Sequence, residues 1–187
     1  MNIVKVTTKD TSEILAIYAP YVENTAISFE YEIPSLEEFA SRIENISVKY
    51  PYIKAVDENG KILGYAYAGT FKGRSAYDWS VETTVYVKED CKRMGIGKLL
   101  YDALEKSLKT IGILNMNACI AYPETEDEYL TMDSIYFHEK MGFQPVGIFH
   151  NSGYKYDRWY HMIWMEKMIG EHQSPQEAVR FGEWDIF

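Results

Sequence analysis

The chain has 187 residues, of which 47% are hydrophobic, so it can bury one substantial core, and no break in composition indicates a second one. Its formal net charge of -9 at pH 7 argues against a general nucleic-acid or anionic-membrane surface, because both require a positive face. We therefore expect a small-molecule or peptide substrate, with no nucleic-acid partner and no membrane partner.

Cellular location and domain organisation follow from equally simple features. The sequence contains no apolar run long enough to span a bilayer, and its first residues lack the apolar core of a signal peptide. Its two cysteines, Cys91 and Cys119, are too few for a disulfide framework and have no Cys-x-x-Cys spacing. We expect a cytoplasmic protein with reduced thiols, built as a single domain over residues 1–169 followed by a C-terminal tail over residues 170–187.

The first part of the chain predicts a strand and two helices. The strand covers residues 3–6, the first helix runs from residue 12 to about residue 23, and the second runs from residue 36 to the Tyr50-Pro51 pair. Each helix is preceded by the side chains of a capping box, which satisfies free N–H groups at a helix start. The two pairs are Asp10 with Glu13 and Ser35 with Glu38.

The middle of the chain predicts a hairpin, a further strand and a helix. The hairpin strands cover residues 53–56 and 62–70, and the Asn-Gly pair at 59–60 supplies the positive φ values of a tight turn. A third strand over residues 79–87 extends this hairpin. The helix over residues 97–111 places its apolar side chains on one face.

The last part of the chain predicts one more helix between strands. A strand over residues 115–121 precedes a helix over residues 134–141, which Gly142 closes, and strands over residues 144–149 and 159–167 follow. The order is strand, two helices, three strands, helix, strand, helix and two strands. This order predicts a mixed α/β fold.

One short segment, just before the helix over residues 97–111, has the features of a phosphate-binding loop. It consists of Lys92, Arg93, Met94, Gly95, Ile96, Gly97 and Lys98. The first N–H groups of a helix have no partner within it and face outward with the positive end of the helix dipole. Gly95 and Gly97 allow an anion to approach the backbone, and three basic side chains add positive charge to an acidic protein.

Other phosphate motifs fit these residues poorly. In a P-loop the first glycine would fall at Lys92, and Lys98 would be followed by Ser or Thr rather than Leu99. A dinucleotide fingerprint would need glycine at Leu100. The spacing is similar to that of the acetyl-CoA pyrophosphate loop of the GNAT superfamily of N-acetyltransferases, with Lys92 in place of its Arg or Gln. From these residues alone, a glycine-rich turn without a ligand is the alternative.

The sequence as a whole resembles the phosphinothricin acetyltransferases within that superfamily, from about residue 3 to residue 168. The matching segments are Ile27-Ser28-Phe29, Lys72-Gly73-Arg74, Tyr77 to Val87, His138 to Phe143 and Gly153-Tyr154-Lys155. The resemblance implies an acetyltransferase (GNAT) fold, with a mixed, mostly antiparallel sheet flanked by helices. It also implies acetyl-CoA as cosubstrate, no metal, and a homodimer.

The resemblance further implies which residues contact acetyl-CoA and its acceptor. The acetyl-CoA residues are Val85, Tyr86, Val87, Lys92, Arg93, Met94, Gly95, Ile96, Gly97, Lys98, Thr131 and Ser134. The backbone N–H near Val87 would contact the thioester oxygen where the strand separates from its neighbour. The residues for an acceptor amino acid are Phe29, Lys72, Arg74 and Tyr77. From composition alone, Lys72 and Arg74 would be an ordinary solvated turn.

Proton transfer is assigned to three residues by the same resemblance. The acceptor must attack as a neutral amine, and Glu82 stands at the position of the general base, acting through water. Without the resemblance, Glu82 could equally be an exposed strand carboxylate. His138 occupies the place where the wider superfamily has an acidic tyrosine, so it would donate a proton or orient the substrate. Tyr136 is a second candidate acid, and a hydrogen-bonded core histidine is the alternative for His138.

Two segments depart from the family pattern. The connection over residues 124–132 is longer than the family's usual one and is strongly acidic from Glu124 to Glu128. Within it, Thr131 stands where the family has an Asn that helps to hold CoA. The stretch is either a solvated loop or a lid whose carboxylates favour a cationic amine. In the tail, the aromatic residues Phe181, Trp184 and Phe187 could dock on the domain or on a partner subunit, or the tail could be disordered.

Two functional hypotheses follow. The first is an acetyl-CoA-dependent N-acetyltransferase that acts on a small amino acid or analogue of the phosphinothricin, methionine sulfone or methionine sulfoximine type by direct attack. The second is a non-catalytic acyl-CoA-binding or sensing module with the same fold. Glu82 and His138 together favour catalysis, because a binding module needs neither. An acetyltransferase for another amine or a peptide shares the chemistry and differs only in acceptor.

Overall fold

The computed structural model describes residues 1–186, and within them seven strands form one mixed sheet that carries four helices. The strands are β1 (Asn2–Lys5), β2 (Tyr52–Val56), β3 (Ile62–Thr70), β4 (Ser80–Val87), β5 (Asn115–Tyr122), β6 (Gln144–Lys155) and β7 (Arg158–Met168). The helices are α1 (Thr11–Asn24), α2 (Leu36–Ser47), α3 (Ile96–Thr110) and α4 (Asp133–Lys140). The predicted element order is confirmed.

The strand order in the sheet is β1-β2-β3-β4-β5-β7-β6, and β4 with β5 is the parallel pair in an otherwise antiparallel arrangement. This pair joins only at its beginning, where Ser80, Val81 and Glu82 lie opposite residues 115–117. Beyond Glu82 the two strands separate while each keeps its other neighbour. The separation opens the middle of the sheet.

Helices cover both faces of the sheet. On one face, α1 and α2 pack against strand side chains that include Tyr52, Ile62 and Tyr65. On the other face, α3 lies against β2, β3 and β4, and its Leu100 and Leu104 are fully buried in the larger core. The opening between β4 and β5 therefore lies between two packed layers.

The two predicted capping boxes have different outcomes. The Ser35 hydroxyl accepts the N–H of Glu38 at 3.1 Å, as expected at the start of α2. At α1 the prediction is wrong, because Asp10 makes no side-chain cap to that helix. Its carboxylate instead accepts the N–H of Thr7 at 2.8 Å and pairs with Lys54. This aspartate closes the short 3-10 turn that precedes α1.

The predicted hairpin turn forms, but its backbone conformation differs from the expected one. Gly60 has a φ of +83°, but the φ of Asn59 is not positive. The carboxylate of Asp57 accepts the N–H groups of Asn59 at 2.8 Å and Lys61 at 2.9 Å. The aspartate side chain thus replaces the second left-handed residue as the organiser of the turn.

Strand β6 continues well beyond its predicted end at residue 149. Its pairing with β7 is interrupted between Phe149 and Gly153, where Asn151 has a φ of +48°, and then resumes to Lys155. A β-bulge of this kind breaks the alternation on which the prediction rested. The extension brings the end of β6 close to the chain between α1 and α2.

The tail docks on the domain through backbone and side-chain contacts. The N–H of Arg180 donates to the carbonyl of Ile111 at 2.8 Å, and the hydroxyl of Ser107 donates to the carbonyl of Asp185 at 2.6 Å. Trp184 is buried in the core that α3 covers. Phe187 lies outside the described residues. No helix in residues 1–186 is both long and apolar enough to cross a membrane.

Candidate active site

A cavity of about 360 Å³ fills the opening between β4 and β5. Its walls come from these strands, from α3 and α4, and from the chain that links α1 to α2. The residues expected at the site that line it are Phe29, Glu82, Val85, Tyr86, Ser134 and His138. The structure therefore brings both candidate proton-transfer residues, Glu82 and His138, to one cavity.

Glu82 is the last residue of β4 that pairs with β5, so its side chain lies where the strands begin to separate. Burial raises the pKa of its carboxyl group, and the positive charge of Lys72 opposes part of that rise. A carboxylate with a raised pKa holds a proton more readily than an exposed one. This environment suits a group that accepts a proton from an amine.

His138 is 4% exposed, and both of its ring nitrogens have protein partners. Nδ1 lies 2.7 Å from the carbonyl oxygen of Ser134, and Nε2 lies 2.9 Å from the hydroxyl of Tyr101. A carbonyl oxygen only accepts, so Nδ1 carries the hydrogen and Nε2 accepts from Tyr101. Burial lowers the pKa of His138 to about 4, so the ring is neutral at pH 7. Proton exchange with a ligand would have to pass through Tyr101.

Tyr101 on α3 is a cavity residue that the sequence did not reveal. Its hydroxyl also lies 3.3 Å from the hydroxyl of Thr83, which donates to the carbonyl of Asn117 at 3.1 Å. Tyr101 uses its one hydroxyl hydrogen for the nearer His138 and Thr83 uses its own for Asn117, so the two hydroxyls touch without a hydrogen between them. These contacts join α3, α4, β4 and β5 around the cavity. In the sequence, Tyr101 is merely one more buried-face residue of an amphipathic helix, and nothing in its spacing marks it.

Tyr136, the second candidate acid, is not brought to the cavity. Its side chain is 52% exposed, and it is absent from the cavity walls, unlike His138 two residues later. Positions two apart on a helix point in different directions, so the two candidates could not both face one site.

The segment expected to bind phosphate starts α3 with a backbone turn. Arg93 and Gly95 have φ values of +63° and +81°. The first helical hydrogen bond runs from the N–H of Leu99 to the carbonyl of Gly95 at 3.0 Å, so the N–H groups before Leu99 have no acceptor in the helix. The loop therefore offers free backbone donors at the positive end of a 15-residue helix.

Gly97 has a packing role that the sequence did not show. A Cβ atom at this position would lie 3.1 Å from the ring of Phe137, so the missing side chain lets α3 approach α4. No atom lies within 4 Å of a Cβ at Gly95, whose positive φ is the reason for glycine there. The two glycines thus serve the loop in different ways.

The basic residues of the loop differ in their surroundings. Lys92 lies over the ring of Tyr21, 4.9 Å from the ring centroid, and Arg93 lies 3.7 Å from Asp133. Lys98 pairs with Asp102 one turn further along α3. Lys92 and Arg93 are thus the loop cations that stand before the helix start, where an anion would lie.

Three other predicted residues have positions that the sequence could not give. The carbonyl of Val87 accepts the hydroxyl of Tyr21, which holds the end of β4 to α1. Thr131 accepts the N–H of Asp133 at 3.4 Å before α4, and its side chain is not in the cavity wall. Met94 is exposed on the loop.

The predicted acceptor residues separate into two groups. Phe29 lines the cavity. Lys72 is exposed and is not a cavity-wall residue, but its positive charge offsets part of the rise in the pKa of Glu82. Arg74 and Tyr77 are exposed and are not brought to the cavity walls. Cavity residues that the sequence did not single out include Tyr67, Cys119, Leu130, Ser152 and Met162.

None of the residues from Glu124 to Glu128 lines the cavity, although the lid hypothesis places their carboxylates over the acceptor. Arg158 lies 2.9 Å from the carboxylate of Asp127 and 2.8 Å from that of Glu128. The carboxylate of Glu126 accepts the N–H of Met132 at 2.7 Å. These carboxylates are occupied by β7 and by the start of α4, so the stretch is tied to the domain.

The family model described as the Acetyltransferase (GNAT) domain matches residues 3–164 of the chain. The chain belongs to the GNAT acetyltransferase family. This GNAT protein is 32% identical to a phosphinothricin N-acetyltransferase of Streptomyces viridochromogenes, over 93% of the chain and 90% of that relative. It is also 32% identical to an L-methionine sulfoximine/L-methionine sulfone acetyltransferase of Pseudomonas aeruginosa, over 88% and 92%.

A solved structure agrees with this GNAT protein over nearly its whole length. It is that of a GNAT superfamily phosphinothricin acetyltransferase from Sinorhizobium meliloti in complex with AcCoA. The TM-score is 0.86 and the identity 31%, with 98% of this chain and 97% of that chain covered. The expected GNAT fold is confirmed, and the protein is an acetyltransferase. The open strand pair and the free N–H groups before Leu99 fit acetyl-CoA as the donor.

Proposed function

We propose that this GNAT protein transfers the acetyl group of acetyl-CoA to the amine of a small amino acid or analogue of the phosphinothricin or methionine sulfoximine type. The observation that carries the proposal is the position of Glu82, a half-buried carboxyl group with a raised pKa at the point where β4 and β5 separate. Phe29 lies in the same cavity, and the phosphate-binding loop follows the far end of β4.

In the reaction, the amine nitrogen bonds to the thioester carbonyl carbon and the carbon–sulfur bond breaks. Glu82 accepts the proton that the amine loses, directly or through water. The sulfur leaves as the CoA thiolate and takes up a proton from solvent, and Glu82 releases the proton it accepted to solvent. Burial raises the pKa of Tyr101, so its phenol stays neutral in the cavity wall. The hydroxyl of Tyr101 is in turn held by His138. The loop before α3 binds the pyrophosphate and orients the donor.

Direct attack is favoured over an acyl-enzyme route by the state of the cavity's cysteine. Partial desolvation in the cavity wall raises the pKa of the Cys119 thiol to about 11, and the negative charge of Glu82 adds to this rise. The thiol is thus protonated at neutral pH, whereas a nucleophilic cysteine needs to be a thiolate. The names of the relatives favour catalysis over the non-catalytic module.

The acceptor class is supported by charge as well as by the relatives. Lys72 places a positive charge beside Glu82, which suits an acceptor that carries its own carboxylate next to the reacting amine. The relatives named above act on phosphinothricin and on methionine sulfoximine or sulfone. The homodimer implied by the resemblance stays a prediction, and sedimentation equilibrium of the purified protein would test it.

The test is release of free CoA thiol from acetyl-CoA with a panel of amines. We expect acceptor-dependent release with phosphinothricin, methionine sulfone or methionine sulfoximine, and little with polyamines or peptides. Glu82→Gln should lower kcat by about a hundred- to ten-thousandfold while CoA affinity by calorimetry stays unchanged. Glu58→Gln, in the exposed turn before β3, is the matched control. Absence of release with every amine would refute the proposed function, and full activity of Glu82→Gln would refute the base assignment.

A further inference from the structure

Lys155, at the end of β6, is a buried lysine that lies outside the reaction chemistry described above. It is 2% exposed, and its Nζ donates to the carbonyls of Val22 at 2.7 Å, Thr25 at 2.9 Å and Ser28 at 2.7 Å. Three acceptors require three N–H donors, so the group is the ammonium ion. The positive charge also lies at the C-terminal end of α1, where the helix dipole is negative. Lys155 thus fixes the chain that leads directly to Phe29.

Gly153, two residues earlier in β6, makes room for the Phe29 ring. A Cβ atom at this position would lie 2.2 Å from Cε2 of Phe29, a distance that no side chain tolerates. Tyr156 adds a further bond on the same side, because its hydroxyl donates to the carbonyl of Glu23 at 2.7 Å. The location of the Phe29 ring in the cavity therefore depends on the end of β6 and the turn after it.

The same hairpin end also holds a second loop that lines the cavity. Arg158 pairs with Asp127 and Glu128 and lies over the ring of Tyr129, 5.1 Å from its centroid. Tyr129 stacks on Tyr156 with the ring centroids 4.0 Å apart. Next to Tyr129, Leu130 lines the cavity.

The two loops are also joined to each other. The N–H of Ala26 donates to the carbonyl of Tyr129 at 3.0 Å. Residue 26 belongs to the segment that Lys155 holds, and residue 129 belongs to the acidic connection that Arg158 holds. One hairpin end, residues 153–160, therefore anchors the two loops that enclose the acceptor side.

We propose that this hairpin end sets the shape of the acceptor site, with Lys155 as a positioning residue and Gly153 as a determinant of acceptor specificity. The proposal rests on the proposed function, since it assumes that the Phe29 side of the cavity receives the amine. The hydrogen bonds of Lys155 go to Val22, Thr25 and Ser28, and the atoms nearest to a Cβ at Gly153 belong to Phe29, so neither set involves the phosphate-binding loop of residues 92–98. A substitution in the hairpin end should therefore weaken binding of the acceptor and leave binding of acetyl-CoA unchanged.

The first test is Lys155→Met, which keeps the length of the side chain and removes its three donors. We expect the KM for the best acceptor to rise about ten- to a hundredfold, since small displacements of a positioning element have effects of this size. The KM for acetyl-CoA and the calorimetric affinity for CoA should stay within about twofold of wild type. Lys106→Met, at an exposed lysine of α3, is the matched control. An unchanged acceptor KM, or equal losses for both substrates, would overturn the proposal.

A second test does not require that Lys155→Met folds. Gly153→Ala is made both in wild type and in Phe29→Ala, which forms a double-mutant cycle. We expect Gly153→Ala to raise the acceptor KM in wild type and to have almost no effect where the Phe29 ring is absent. Equal effects in both backgrounds would show that Gly153 acts independently of Phe29 and would overturn its assigned role.

A third measurement separates this proposal from the proposed function. If wild type releases no thiol with any amine, the proposed function fails, and the hairpin can still be tested by hydrogen exchange. Amides of residues 25–29 should exchange faster in Gly153→Ala than in wild type, while amides of residues 92–98 stay unchanged. Equal exchange of residues 25–29 in the two proteins would overturn the positioning role.

Discussion

Burial shifts the pKa values of Glu82 and His138 in opposite directions. It disfavours the charged form of each group, so it raises the pKa of the carboxyl and lowers the pKa of the imidazole to about 4. Glu82 therefore becomes a better proton acceptor, and His138 becomes a neutral hydrogen-bonding group. One cavity environment thus gives a carboxyl group and an imidazole opposite pKa shifts.

The lowered pKa of His138 predicts a pH dependence of stability. Above pH 6.5 the ring is neutral in both the folded and the unfolded protein. Below that value the unfolded chain binds a proton that the folded protein does not bind until about pH 4, so stability falls as the pH falls through this window. Between pH 7 and pH 5 we expect His138 to lower the free energy of unfolding by about 2 kcal/mol.

Urea unfolding of wild type and His138→Gln at both pH values measures this effect. The stability advantage of wild type over the variant should shrink by about 2 kcal/mol from pH 7 to pH 5, because the variant has no ring to protonate. Nitrogen NMR of the imidazole should show hydrogen on Nδ1 and none on Nε2 at pH 6. A stability difference that is the same at both pH values would contradict the buried neutral histidine.

At the scale of elements, the start of α3 depends on one left-handed residue. Gly95 has a φ of +81°, which costs a residue with a Cβ about 1–2 kcal/mol. Gly95→Ala should therefore lower the free energy of unfolding by about that amount and weaken CoA binding, because the loop donors move. Urea unfolding and calorimetry with CoA are the measurements.

Gly147→Ala is the control for the Gly95 substitution. This glycine lies on β6 and has no positive φ, and a methyl group added there would meet no atom within 4 Å. We expect both its stability and its CoA affinity to stay close to wild type. If the two alanine variants had the same stability and the same CoA affinity, the positive φ of Gly95 would not be important for the loop.

At the scale of the whole molecule, the docked tail stabilises the domain without lining the candidate active site. Trp184 is 8% exposed, and the ammonium of Lys5 lies over its ring, 4.4 Å from the centroid. Loss of a buried tryptophan costs about 3–5 kcal/mol, so Trp184→Ala should be strongly destabilising. The acceptor KM and acetyl-CoA KM of the folded variant should remain unchanged, since Trp184 is not a cavity residue.

Thermal unfolding and steady-state kinetics below the transition test this separation. Trp159→Ala is the stability control, because Trp159 is exposed on β7 and its removal should cost little. A change in either KM in Trp184→Ala would mean that the tail influences the cavity. Equal stability losses in the two tryptophan variants would mean that the tail is not docked in solution.

The element order and the family were readable from the sequence because both depend on local signals. Apolar periodicity, the Ser35 cap and the glycine pair at 95 and 97 are properties of short segments, and Glu82 stands inside a long matching segment. Errors arose where distant groups competed. Asp10 pairs with Lys54 of β2 instead of capping α1. Strand β6 continues through a β-bulge that the apolar periodicity does not indicate.

The amino-acid sequence by itself determined the fold class and indicated the candidate donor loop and the candidate base, because local patterns and the family resemblance identify these. Only the tertiary structure decided which residues meet in the cavity. It joined Tyr101 to His138 and brought Lys155 to the end of α1. It also left Lys72, Arg74, Tyr77 and Tyr136 outside the cavity walls. The reason is that strand separation, burial and contacts between residues more than a hundred positions apart are set by packing, which no local signal encodes.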